Sequence, residues 1–152
     1  MINKANKTLG FLRRNIKVSS RTIKERAYKA YMRPLLEYAA TVWDPNAQKY
    51  INRLEKFQQR AARFVLNRYH NTSSVSQMID KLKWPTLEHR RKTARLSMMY
   101  KIRHGLVECP TLKSKFVPPL PRQRRGHDQQ FNIITTRTLY RGVSFLPRTI
   151  RE

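Results

Sequence analysis

Two carboxylates, Glu37 and Asp44, stand within "LEYAATVWDP" (residues 35–44), in a chain with only 9 acidic residues among 152. Phosphoryl transfer with two metal ions needs two or three carboxylates gathered on one small platform. No two acidic residues are adjacent in this sequence, and an expected helix end separates Glu37 from Asp44. Asp-Pro followed by Asn is a turn signal. The stretch therefore reads as a helix-terminating turn, with Trp43 as a core anchor and Asp44 as a cap or turn former. No catalytic residue is assigned. His70, His89, His104 and His127, with Cys109, are the other candidates for metal chemistry. Their spacings match no zinc pattern, and three of the histidines lie in basic stretches that repel a cation. No metal or cofactor is expected. Cys109 precedes Pro110 with no orienting base implied nearby, which leaves a nucleophile unsupported.

The basic residues carry more. Arg13, Arg14, Lys17, Arg21 and Lys24 cluster around the first helix connection. Arg60 and Arg63 lie on a central helix, Arg90, Arg91, Lys92 and Arg95 on a later one, and Arg122, Arg124 and Arg125 in the C-terminal part. Any one such cluster is most often a solvated face. Four with few intervening acids favour phosphate contact, because each neutralised phosphate releases counterions. No element suited to reading base edges is evident, so contact to the RNA or DNA backbone is expected. Tyr69 and Tyr100 are able to stack on bases, though a core or rim role is the commoner use of such aromatics.

Composition supports the same partner class. Lys and Arg number 33, giving a formal net charge of +24, and such self-repulsion is relieved by a polyanion. The hydrophobic share of 39% is enough for a core. A single cysteine excludes an internal disulfide. No apolar run approaches the roughly 18 residues of a spanning helix, and the first residues lack the apolar stretch of a signal peptide. An intracellular protein without membrane contact is expected, and "HRRKTAR" and "PRQRR" are compatible with nuclear import. "PPLPR" (118–122) resembles a proline-rich ligand, a pattern that arises easily by chance.

Helices must position these residues. Ile2, Ala5, Leu9, Leu12 and Ile16 share one helical face. Thr22 with Glu25 suggests a capping box opening a second helix, and Pro34 predicts a kink near Met32–Arg33 or a division into two shorter helices. Ile51, Leu54, Phe57, Ala61, Phe64 and Val65 keep helical spacing over about 47–66. Ser74 with Gln77 suggests another box before a short helix to Leu82. After Pro85, Thr86 can cap a helix through Leu87, Ala94, Met98 and Ile102 that stops at Gly105. Five prolines then interrupt the pattern, and "FNII" and "TLYRGVSFL" read as strands or docking segments. The expectation is an all-α bundle of four to five helices over 1–105, followed by an irregular, Pro- and Arg-rich basic tail over 106–152.

The order of five blocks adds a resemblance. "INKANKTLGFLRRN", "AYKAYMRPLLEYAATVWDP", "LEKFQQRAARFV", "WPTLEHRRKTARLSMMYKI" and "SFLPRTIRE" are similar, in that order, to the region downstream of the polymerase core in LINE-type reverse transcriptases. The jockey-like branch of these non-LTR retrotransposon proteins is the nearest. The resemblance covers nearly the whole chain and implies a helical thumb and adjoining C-terminal part that embraces template and primer. It also implies that the catalytic palm, with its paired aspartates, and the endonuclease would lie before residue 1. The expected function is thus nucleic-acid binding by a thumb-like fragment of an RNA-directed DNA polymerase, without enzymatic activity of its own. Its partners would be RNA or DNA and the upstream palm. The alternative is an inert remnant that needs that palm to fold.

Overall fold

The computed structural model describes residues 1–70, 74–114, 131 and 134–151, and every regular element among them is helical. The chain is all-α, with more helices than the four to five expected. It divides into two compact units, Met1–Arg91 and Lys92–Glu152, and the division falls inside a helix.

In the first unit, α1 (Ile2–Asn15) buries Ala5, Leu9 and Leu12, while Ile2 and Ile16 pack against the same core. This is the face its apolar spacing sets out. α2 (Arg21–Ala27) starts earlier than Thr22 predicts. Ser20 is the cap, its hydroxyl accepting the Ile23 backbone N–H at 3.4 Å. Thr22 therefore falls within the first turn, and the expected Thr22–Glu25 box does not form. Glu25 turns instead to Lys29 (2.8 Å) and to the indole N–H of Trp84 (3.4 Å).

Pro34 acts one turn upstream of itself. It has no N–H to give to the Ala30 carbonyl, so the helix widens into a π turn over Tyr28–Met32, and the Arg33 N–H reaches back to Tyr28. Pro34 then occupies the first turn of α3 (Arg33–Glu37), where a missing donor costs nothing. The interruption expected at Pro34 takes the form of this π turn, with α3 following as a short helix. Ala39, in the left-handed region at φ 51°, turns the chain into α4 (Ala40–Trp43), and "DPN" ends it.

α5 (Gln48–Leu66) is the central helix of the unit. It buries Ile51, Leu54, Phe57, Gln58, Ala61, Ala62, Phe64 and Val65 and contacts α1, α2 and α6. α6 (Val75–Leu82) follows, with Ser74 at the cap position but making no side-chain cap bond, so that capping box is also absent. Trp84 closes the core by stacking on Tyr28, with ring centroids 4.2 Å apart. α7 (Leu87–Arg103) opens with Thr86 accepting the His89 N–H at 3.1 Å, the cap its sequence predicts. α5, α6 and α7 end alike. Asn67, Lys83 and Gly105 take positive φ (53°, 51° and 70°), and the next residue's N–H bonds back to Arg63, Ile79 and Lys101 respectively.

The buried side of α7 departs from expectation. Leu87, Arg91, Arg95, Met99 and Ile102 are buried, whereas Ala94 and Met98 are only half-buried. Two arginines thus occupy positions that an apolar stripe would fill.

The second unit continues α7, where Tyr100 lies against His104 with ring centroids at 4.2 Å, and the Arg103 guanidinium sits 4.7 Å from the Phe131 ring centroid. Its described residues then carry three short helices, α8 (Pro110–Lys113), α9 (Leu139–Gly142) and α10 (Phe145–Arg151). "TLYRGVSFL" is therefore helical rather than extended, with the Thr138 hydroxyl accepting the Arg141 N–H at the start of α9. The proline-rich segment at 118–122 lies outside the described residues, as does all of "FNII" except Phe131 and Ile134.

Candidate nucleic-acid interface

The packing of α1 across α5 gathers three of the basic residues singled out by sequence. Arg13 from α1 and Arg60 and Arg63 from α5 line one groove of about 400 Å³, with Asn6, Leu9, Gly10 and Tyr69. Arg60 and Arg63 are three residues apart and so share a side of their helix. The Arg13 guanidinium lies over the Tyr69 ring, 4.7 Å from its centroid. Arg60 is exposed, and its Nε donates weakly to the Lys56 carbonyl at 3.4 Å. The Arg63 Nε is buried and has no hydrogen-bond partner among the described residues. A buried guanidinium N–H without an acceptor is costly unless a ligand supplies one. The groove's lining residues include no carboxylate.

The other candidates divide sharply. Arg14, Lys17 and Arg21 are exposed, Arg21 also donating to the Lys81 carbonyl at 3.2 Å. Lys24 is buried, its ammonium 5.7 Å from the Phe64 ring centroid, and so does not face an incoming phosphate. Arg91 and Arg95 are each 2% exposed, and Lys92 is half-buried. Charge alone places all four outward; packing takes three of them in. Arg122, Arg124 and Arg125 lie outside the described residues.

The carboxylates that opened the sequence question are held by arginines. Arg91 Nε donates to Asp44 Oδ1 at 2.7 Å, with the two side chains 2% and 5% exposed. Glu37 receives Arg33 Nε at 3.0 Å and both Nε and Nη2 of Arg90, the latter at 2.9 Å. That contact raises the Arg90 pKa further above its already high value. Two residues before Arg90, the Glu88 backbone N–H donates to Glu55 at 2.9 Å at the start of α7. Glu25 is held below the ordinary carboxylate range, mainly by its hydrogen bond to Lys29. Burial pushes the Tyr28 phenol well above its usual value. Glu25, Glu37, Asp44 and Glu55 thus each fasten one part of the first unit to another. Among the described residues no three His, Cys, Asp or Glu side chains gather as metal ligands, and no helix is long and apolar enough to cross a membrane.

A second concavity of the first unit is apolar. Phe11, Leu12, Ile16, Ile23, Ala27, Ala30 and Tyr31 line it, and Phe11, Ile23 and Tyr31 are exposed.

Sequence patterns do not mark Asn6 and Gly10 as groove residues, and they favour a core or rim role for Tyr69. The usable signal was that Arg13 and Arg60 each flank an apolar stripe, which places them at the seam where the two helices meet. Comparison with known proteins finds no matching family model, no matching curated protein and no matching solved structure.

Proposed function

We propose that this chain binds nucleic acid through phosphate contacts, as a thumb-like helical segment of the non-LTR reverse transcriptase kind, with no polymerase chemistry of its own. The observation that carries the binding is the convergence of Arg13, Arg60 and Arg63 on one groove free of carboxylates. The charge of +24 supports it, since a polyanion relieves the repulsion. The five ordered sequence blocks support the family. The carboxylates that could serve chemistry are bound to arginines instead.

Anisotropy titrations of labelled duplex, hybrid and single strand at two salt concentrations test this. Binding weakens steeply with salt, log K falling by roughly 0.7–0.9 per phosphate contacted for each tenfold rise in salt concentration. Replacing both Arg60 and Arg63 by alanine lowers that slope by about two charges' worth. Salt-independent binding, or none to any of the three, refutes the proposal. A second reading is favoured by the exposed Phe11, Ile23 and Tyr31 around an apolar concavity. In it the chain is a docking piece of a larger assembly and binds nothing alone. A broad, non-cooperative thermal transition accords with that reading, whereas a sharp one accords with a self-sufficient fold.

A further inference from the structure

The geometry points to a site for one unpaired nucleotide of a single strand in the groove between α1 and α5, its base on Tyr69 and its phosphates on Arg60 and Arg63. This rests on the nucleic-acid function proposed above and names the form of nucleic acid that the groove selects.

Three features converge. The first is size: a recess of about 400 Å³ belongs with pockets that enclose a small ligand, and a double helix cannot enter it. The second is the aromatic surface. Tyr69 is 43% exposed while Arg13 lies over its ring, so the ring is braced by a cation and still offers surface to a base. A paired base within a duplex is already stacked on both sides, whereas a single strand can turn one base onto an aromatic ring. The third is the buried, unpartnered Nε of Arg63, a donor that lacks an acceptor oxygen of the kind a phosphate supplies.

Gly10 completes the wall. Glycine within a helix is disfavoured, yet a Cβ at this position would meet only the Arg14 guanidinium, at 3.7 Å. No packing requires the glycine, and its bare backbone keeps the α1 side of the groove open. Asn6, one helical turn earlier, adds a side-chain amide able both to donate and to accept toward a base edge.

The test uses the full chain at low salt with three labelled probes: a pentathymidine single strand, a blunt twelve-base-pair duplex, and inorganic polyphosphate as a pure charge control. Two variants are compared with the parent after their melting curves are matched. Tyr69→Ala removes the stacking surface, and Gly10→Leu fills the groove with a residue that favours helix and leaves the charge unchanged. Each is expected to weaken single-strand binding by about tenfold, within the range measured for aromatic–base stacking. Single-strand binding should fall by several-fold more than binding of duplex or polyphosphate, since neither of those probes lays a free base on Tyr69; an equal fall for all three probes overturns the site. If single-strand affinity survives both substitutions while salt-sensitive binding persists, the site is overturned and the general function stands. If no probe binds the parent chain, both fall.

Discussion

Replacing Asp44 by asparagine should be among the most damaging single-atom changes available to this fold. The carboxylate and the Arg91 guanidinium are 5% and 2% exposed and meet at 2.7 Å, so little solvent screens them. Asparagine keeps the shape and removes the charge that faces the buried Arg91 Nε. Breaking a buried pair from one side costs about 3–5 kcal/mol, a large part of the roughly 5–15 kcal/mol that holds a domain together. At about 2–4 °C per kcal/mol for a chain of this size, the melting temperature should fall by about 10 °C. Glu37→Gln is the internal comparison. Glu37, Arg90 and Arg33 are 29%, 24% and 35% exposed, so water partly screens that cluster, and the cost should be about 1–2 kcal/mol. Urea titrations followed by circular dichroism measure both. The double replacement Asp44→Leu with Arg91→Met should recover most of the loss, because apolar residues of similar volume substitute well for a buried pair. If Asp44→Asn costs less than about 1 kcal/mol, or less than Glu37→Gln, then burial does not govern these pairs and the reasoning fails.

Three further outcomes can be measured on the same footing. Glu25 has its pKa lowered in the folded state, so its contribution is present above the ordinary carboxylate range and is lost as pH falls through the lowered value. Glu25→Gln should therefore be less stable than the parent at neutral pH and indistinguishable from it in acid, as pH-dependent urea midpoints would show. Lys83 holds φ 51° at the end of α6, a strained conformation for a residue with a Cβ. Lys83→Gly should raise stability by up to about 1 kcal/mol, and a loss would mean that its side chain contributes more than its backbone costs. Lys24 buries a cation against Phe64. Lys24→Met should be neutral or stabilising in thermal melts, and a drop of more than about 2 kcal/mol would show that the ammonium is well compensated where it sits.

Much of the first unit was legible because its helices are amphipathic in the ordinary way. The stripes Ile2–Ile16 and Ile51–Val65 name the α1 and α5 cores almost residue by residue. Pro34 announced a disturbance, but not its form, since whether a helix bends or widens depends on what packs around it. Capping was read less well: Ser20 and Thr22 are both competent caps, and only the path of the chain selects between them. α7 defeats a reading by hydrophobicity because Arg91 and Arg95 hold two of its inward positions. An inward arginine becomes acceptable when a carboxylate far along the sequence meets it, as Asp44 meets Arg91, and such pairings are tertiary facts. The groove shares this character. Its arginines were visible as charges, while their convergence with Gly10 and Tyr69 follows from how α1 crosses α5.

The start of α7 is held from three other parts of the first unit. Within Glu88–Arg91, one backbone N–H and two guanidinium groups are claimed by carboxylates from α5, α3 and the turn after α4. Lys29, Arg33, Arg90 and Arg91 are thus moored to internal anions, whereas no carboxylate lines the groove that holds Arg13, Arg60 and Arg63. A passing polyanion would have to out-compete three home-grown counter-ions to dislodge this knot, but meets no such rival at the groove. An acidic polymer taken up at the groove, as proposed, would come and go without loosening this part of the first unit.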